Sequence, residues 1–89
     1  MYHLEYSTRF KKDFKKVDKM AIPDILEVGN VISQLQRGDA LAPHNIDHAL
    51  TGNWLGFRDC HIKPDLVLIY RIHKESLQLA RIGSHSEIF

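Results

Sequence analysis

Tyr2, Leu4 and Tyr6 alternate with His3 and Glu5, the period-two pattern of a half-buried strand. After Ser7 the period lengthens. Phe10, Phe14 and Val17 recur at helical spacing with lysines on the other faces, which predicts a helix over 8–19 with the Ser7 hydroxyl as its N-cap. A second helix is predicted from near Pro23, whose missing N–H costs nothing in a first turn. Ile25, Val28, Ile32 and Leu35 form its stripe, Asp24 and Glu27 suit its positive pole, and Gly38 suits its C-terminus. Residues 38–53 contain Gly38, Pro43, Asn45, Gly52 and Asn53 and read as a long loop. From Trp54 period two returns, with Phe57, Asp59 and His61 on one side and Arg58, Cys60 and Ile62 on the other. Leu66 to Tyr70 is almost wholly apolar, as expected of a central strand covered on both faces, and Leu77 to Ile82 reads as a last strand. Ser84 and Glu87 have the spacing of a capping box, so a single helical turn closes the pattern. The predicted order is β-α-α-β-β-β: an α+β fold with a mainly antiparallel sheet and two helices packed on one face.

Composition narrows this further. At 89 residues and 44% hydrophobic content, the chain is expected to form one domain over residues 1–89. A lone cysteine, Cys60, forms no disulfide within the chain; it is expected to be buried and inert, and packing must hold the fold. No apolar run approaches a membrane span and no secretory leader pattern is visible, so no membrane partner and a cytoplasmic location are expected. The net charge of +1 excludes a uniformly cationic nucleic-acid surface. Its distribution is uneven: residues 1–19 carry six basic against three acidic side chains, and residues 20–57 carry one against four. Lys11, Lys12 and Lys15 lie on the basic faces of the first helix, which reads either as a solvated surface or as a contact for a polyanion such as ribosomal RNA.

The six histidines carry the candidate chemistry. His48 lies on the long loop, His61 ends a strand and His85 sits in the terminal turn, where loops and strand ends can converge on one side of a meander. Imidazole exchanges protons near neutral pH. Asp65 stands either to orient a neighbouring imidazole or to shape the Pro64 turn, whereas Asp59 is expected to pair with Arg58, Lys63 or another cation. Arg81 is a permanent cation suited to phosphate. Histidines with an arginine, and no serine or cysteine nucleophile motif, suit phosphodiester cleavage by the substrate's own 2′-hydroxyl. Phe89, beside His85, is expected to stack on a base; Trp54 and Phe57 are either stacking or core residues. His44, Asp47 and His48 have metal-ligand character without metal-site spacing, so no metal site is expected.

Three stretches together carry a resemblance: Asp47-His48-Ala49-Leu50-Thr51-Gly52-Asn53-Trp54, Phe57-Arg58-Asp59-Cys60-His61-Ile62-Lys63-Pro64-Asp65, and Arg81-Ile82-Gly83-Ser84-His85-Ser86-Glu87-Ile88-Phe89, with Leu68-Ile69-Tyr70 between the last two. They resemble the YafQ branch of the RelE/ParE toxin superfamily, over roughly residues 47–89. The resemblance implies a RelE-like fold and a type II toxin that cuts mRNA in the ribosomal A site without metal or other cofactor, neutralised by a cognate antitoxin. It places the active site on His48, His61, Asp65 and His85, with Arg81 and Phe89 nearby. His48 is then the base and His85 the acid, an assignment that could be exchanged. His61 and Arg81 steady the phosphorane, Asp65 orients a histidine or shares the acid role, and Phe89 stacks a base. A ParE-like toxin that acts on gyrase without cutting RNA is the alternative.

Overall fold

The structure is a computed structural model describing residues 1–89, and all its strands share one sheet. β1 (His3–Tyr6) leads into α1 (Thr8–Val17), where the Ser7 hydroxyl accepts from the Phe10 amide at 2.9 Å as the predicted N-cap. α2 (Ile22–Arg37) has Pro23 in its first turn and ends at Gly38, whose φ of 79° is the left-handed value that glycine adopts at least cost. β2 (His48–Ala49), β3 (Arg58–Lys63), β4 (Leu66–His73), β5 (Ser76–Gly83) and α3 (His85–Ile88) complete the chain. In α3, Ser84 and Glu87 form the expected capping box.

The sheet has the order β1-β5-β4-β3-β2. β1 runs parallel to β5 and the other pairs are antiparallel, so the N-terminal strand closes on the C-terminal one. The sheet therefore has five strands where the sequence pattern gave four. The additional strand, β2, is two exposed residues long, too short to show a period. Period two also begins later than expected: Gly52–Trp54 is a 3-10 turn, and β3 starts at Arg58, after Gly56 turns the chain at a φ of 93°.

Phe10 and Val17 of α1 and Val28, Val31 and Leu35 of α2 pack with Cys60, Ile62, Leu68, Tyr70, Leu77, Leu79 and Ile82 of the sheet in one core. Each large side chain removed from water there contributes roughly 1.5–3 kcal/mol. Burial pushes the Cys60 thiol up to about 12, so it stays protonated and unreactive. Val67 and Ile69 are equally buried but lie outside that core, because alternation along β4 turns them to the opposite face. That second apolar patch is the floor on which the histidines stand.

Candidate active site

Strand pairing assembles the site. His48 pairs with Asp59, Asp59 with Ile69, and Ile69 with Arg81, so these four residues form one row across β2, β3, β4 and β5. Three steps between neighbouring strands put the backbones of His48 and Arg81 about 14 Å apart. The adjoining row on the same face is His61, Val67 and Gly83. His85 follows Gly83 closely, and its ring lies 4.9 Å from that of His61. Phe89 lies 6.3 Å beyond His85 and is 57% exposed.

The loop carrying His48 is nailed down on both sides. The buried Asn45 donates its side-chain amide to the His61 carbonyl at 2.8 Å. Asp47 accepts from the Tyr70 hydroxyl at 2.7 Å and from Arg58 at 3.1 Å. Between them Ile46 adopts a φ of 48°, a strained value for a β-branched residue. Its carbonyl points at His48, with Nδ1 at 2.9 Å. The same Nδ1 lies 3.0 Å from Asp59 Oδ1. The Ile46 carbonyl is the acceptor in hydrogen-bonding geometry and places the proton on Nδ1, so Nε2 of neutral His48 is left with a free lone pair; Asp59 Oδ1 is buried without a hydrogen-bond partner and acts on the ring through its charge.

Of the partners expected for Asp59, the structure supplies neither of the two named cations but a third, His48. Arg58 and Lys63 turn to Asp47 and Asp24. Asp59 is 3% exposed and its carboxylate faces the histidines. Burial raises its pKa above the ordinary carboxylate value despite the opposing pull of His48, His61 and His85. Its place two residues before His61, on the same face of β3, was the available signal.

Asp65 orients the other histidine. Its carboxylate accepts from the His85 backbone N–H and faces His85 Nδ1, both at 3.2 Å. Those bonds hold Asp65 below the usual carboxylate range, the backbone bond contributing most. His85 Nε2 is thereby left without a partner in the fold, and Asp65 stands where its charge would balance a protonated imidazole. α3 is fastened further by Lys16, which donates to Glu87 at 2.6 Å and holds that carboxyl down at about 2.

Not every predicted residue joins the cluster. Arg81 belongs to the His48 row, but its guanidinium is gripped by Asp13 and its side chain is 13% exposed. Lys11, Lys12 and Lys15 are exposed on α1 and form no salt bridge within the chain. Trp54 packs edge-on to Phe57 at 5.3 Å, and Arg71 lies over the Phe57 ring at 4.8 Å. No three His, Cys, Asp or Glu side chains are grouped as a metal-ligand set.

The family model described as the bacterial toxin of type II toxin–antitoxin systems, YafQ, matches residues 2–89. The chain belongs to the YafQ toxin family. The mRNA interferase toxin YafQ of Escherichia coli K12 is 33% identical over 87 residues, which cover 97% of this chain and 94% of that protein. A copper-bound mutant toxin from Helicobacter pylori superposes with a TM-score of 0.89 at 41% identity, covering all of both chains. The E. coli DinJ–YafQ complex superposes with a TM-score of 0.87 at 32% identity, over 100% of this chain and 99% of that one. This YafQ-family toxin therefore has the α+β fold that its motifs implied, and no helix long and apolar enough to cross a membrane.

Proposed function

We propose that this toxin is an endoribonuclease that cuts mRNA on the translating ribosome, in the cytoplasm, and is neutralised by a cognate antitoxin. The observation that carries the reading is the pair of oriented imidazoles, His48 and His85, on either side of His61 above an apolar floor. His48 Nε2 takes the proton from a 2′-hydroxyl as the oxygen attacks the adjacent phosphorus. The P–O5′ bond breaks, and His85 Nε2 gives its proton to the departing 5′-oxygen. The products are a 2′,3′-cyclic phosphate and a 5′-hydroxyl end, and the two histidines exchange protons with water to reset. The substrate supplies the nucleophile and imidazoles move the protons, so no step calls on a metal. His61 and Arg81 stabilise the charge that gathers on the phosphorane, and Phe89 stacks on a base of the message.

The test is to map RNA ends in a translation extract given the purified toxin. New cuts in translated message, ending in 2′,3′-cyclic or 3′-phosphate, are expected. Intact message together with inhibited gyrase supercoiling would replace this reading with a ParE-like one.

Lys11, Lys12 and Lys15 are assigned to ribosomal RNA. Changing all three to glutamate should weaken ribosome binding and flatten its dependence on log salt by roughly 2, since each lost phosphate contact removes about 0.7–0.9 from the slope. The melting temperature should hold, because these exposed residues pair with nothing in the fold. An unchanged salt slope would remove α1 from the ribosome contact.

A further inference from the structure

β5 loses its strand neighbour halfway along. β1 ends at Tyr6, opposite Leu79, and beyond that point α1 dresses the open edge. The Ser7 N–H donates to the Leu79 carbonyl at 3.0 Å and the Ser7 hydroxyl to the Ala80 carbonyl at 2.6 Å. Asp13 Oδ2 accepts from the Ile82 N–H at 3.1 Å. The register slips between Ile69 and Tyr70, which leaves Ala80 without a partner and returns Arg81 to the face and row of Asp59.

At that return point Arg81 meets Asp13 fork to fork. Nε donates to Oδ2 at 2.9 Å and Nη2 to Oδ1 at 3.0 Å, and each side chain is only 13% exposed. Capping the Ile82 amide needs one acceptor, which an uncharged side chain would provide. The second oxygen and the planar two-point grip are surplus to that task, and they fix a guanidinium that would otherwise sample many rotamers. Two of its five N–H bonds are taken by Asp13, and three remain for an anion.

We propose that Asp13 is a positioning residue for the cleavage reaction, holding the Arg81 guanidinium at the β5 rim of the histidine row so that its remaining N–H groups meet the phosphate undergoing attack. The inference rests on the reading of Arg81 as the phosphate cation. Burial pushes the Asp13 carboxyl up, but the bonds from Arg81 and the Ile82 amide outweigh it and keep the group ionised near neutral pH. The ion pair is neutral as a unit, so its contribution is directional. It therefore acts on the turnover step more than on capture of the substrate.

The experiment compares wild type, Asp13→Asn, Arg81→Ala and the double variant by cleavage of message on programmed ribosomes, with melting curves alongside. Asparagine retains an acceptor for the Ile82 amide. Asp13→Asn is expected to lower kcat roughly ten- to a hundredfold, with KM within about twofold and an unchanged melting temperature. In the Arg81→Ala background the same change is expected to cost nothing further. An equal loss in both backgrounds assigns Asp13 to the fold alone and overturns the proposal, as does a wild-type or faster rate for Asp13→Asn. If Asp13→Asn melts early, Arg81→Lys asks the same question, since lysine keeps the charge without the fork; a wild-type rate there overturns the proposal. Wild-type cleavage by Arg81→Ala would instead remove the reading of Arg81 itself. A defective Arg81→Ala beside a normal Asp13→Asn removes only the positioning role.

Discussion

Replacing His85 with alanine is expected to slow cleavage of ribosome-bound message at least about a hundredfold, the usual worth of a positioned general acid. The loss should be confined to chemistry. His85 is nearly half exposed, and its polar contacts are with Asp65, itself mostly exposed. No core side chain leans on it, so the melting temperature should change little. The pH profile gives a second readout: the limb that reports the acid should vanish from the residual activity. Wild-type cleavage by the His85→Ala protein would remove His85 from the site and leave the proton for the 5′-oxygen without a donor.

Asp59→Asn should separate activity from stability. Loss of the carboxylate leaves His48 without the negative charge 3.0 Å from its Nδ1, while the Ile46 carbonyl still accepts from that nitrogen. By analogy with other carboxylate-oriented histidines, a fall of roughly a hundredfold or more is expected. Stability should move the other way. Burial raises the Asp59 pKa in the folded state, so between the unfolded and folded values the native protein binds more protons than the unfolded chain. Wild-type stability therefore falls as pH rises through that window, and the cost persists at neutral pH. Asp59→Asn should melt at a higher temperature than wild type at pH 7, and the difference should shrink below the ordinary carboxylate range, where both states are protonated. A variant that cleaves normally, or one that is less stable at neutral pH, would contradict this account of Asp59.

Much of this architecture is legible in the chain because the relevant forces are local. The Ser7 cap, the Gly38 terminus and the Ser84–Glu87 box each satisfy backbone groups within a few residues of themselves, and each forms as read. The apolar run of β4 shows burial on both faces, and both faces are buried. Long-range polar pairing leaves no such local trace. Asp13 and Arg81 are 68 positions apart, and neither position alone indicates the other. β2 exists only because β3 offers His48 and Ala49 an edge, so no pattern within those two residues could announce it. The partner of Asp59 is hidden from the sequence for a related reason. Its sequence neighbours Arg58 and Lys63 offered nearer charges, yet strand alternation turns Arg58 to the other side, and Lys63 reaches α2 instead.

The closing of β1 onto β5 has a consequence for when the toxin becomes dangerous. His48, Asp59, Arg81 and His85 come from separate stretches of the chain, and the strand that bears Arg81 is braced on its outer edge by residues 3–6 and by Asp13. On the proposed reading, a nascent chain that stops short of residue 85 lacks the donor of the proton for the 5′-oxygen. One that reaches it must still join its first strand to its last before the row is framed. On that reading cleavage waits on the closing of the sheet, which brings residues from both ends of the sequence onto one strand.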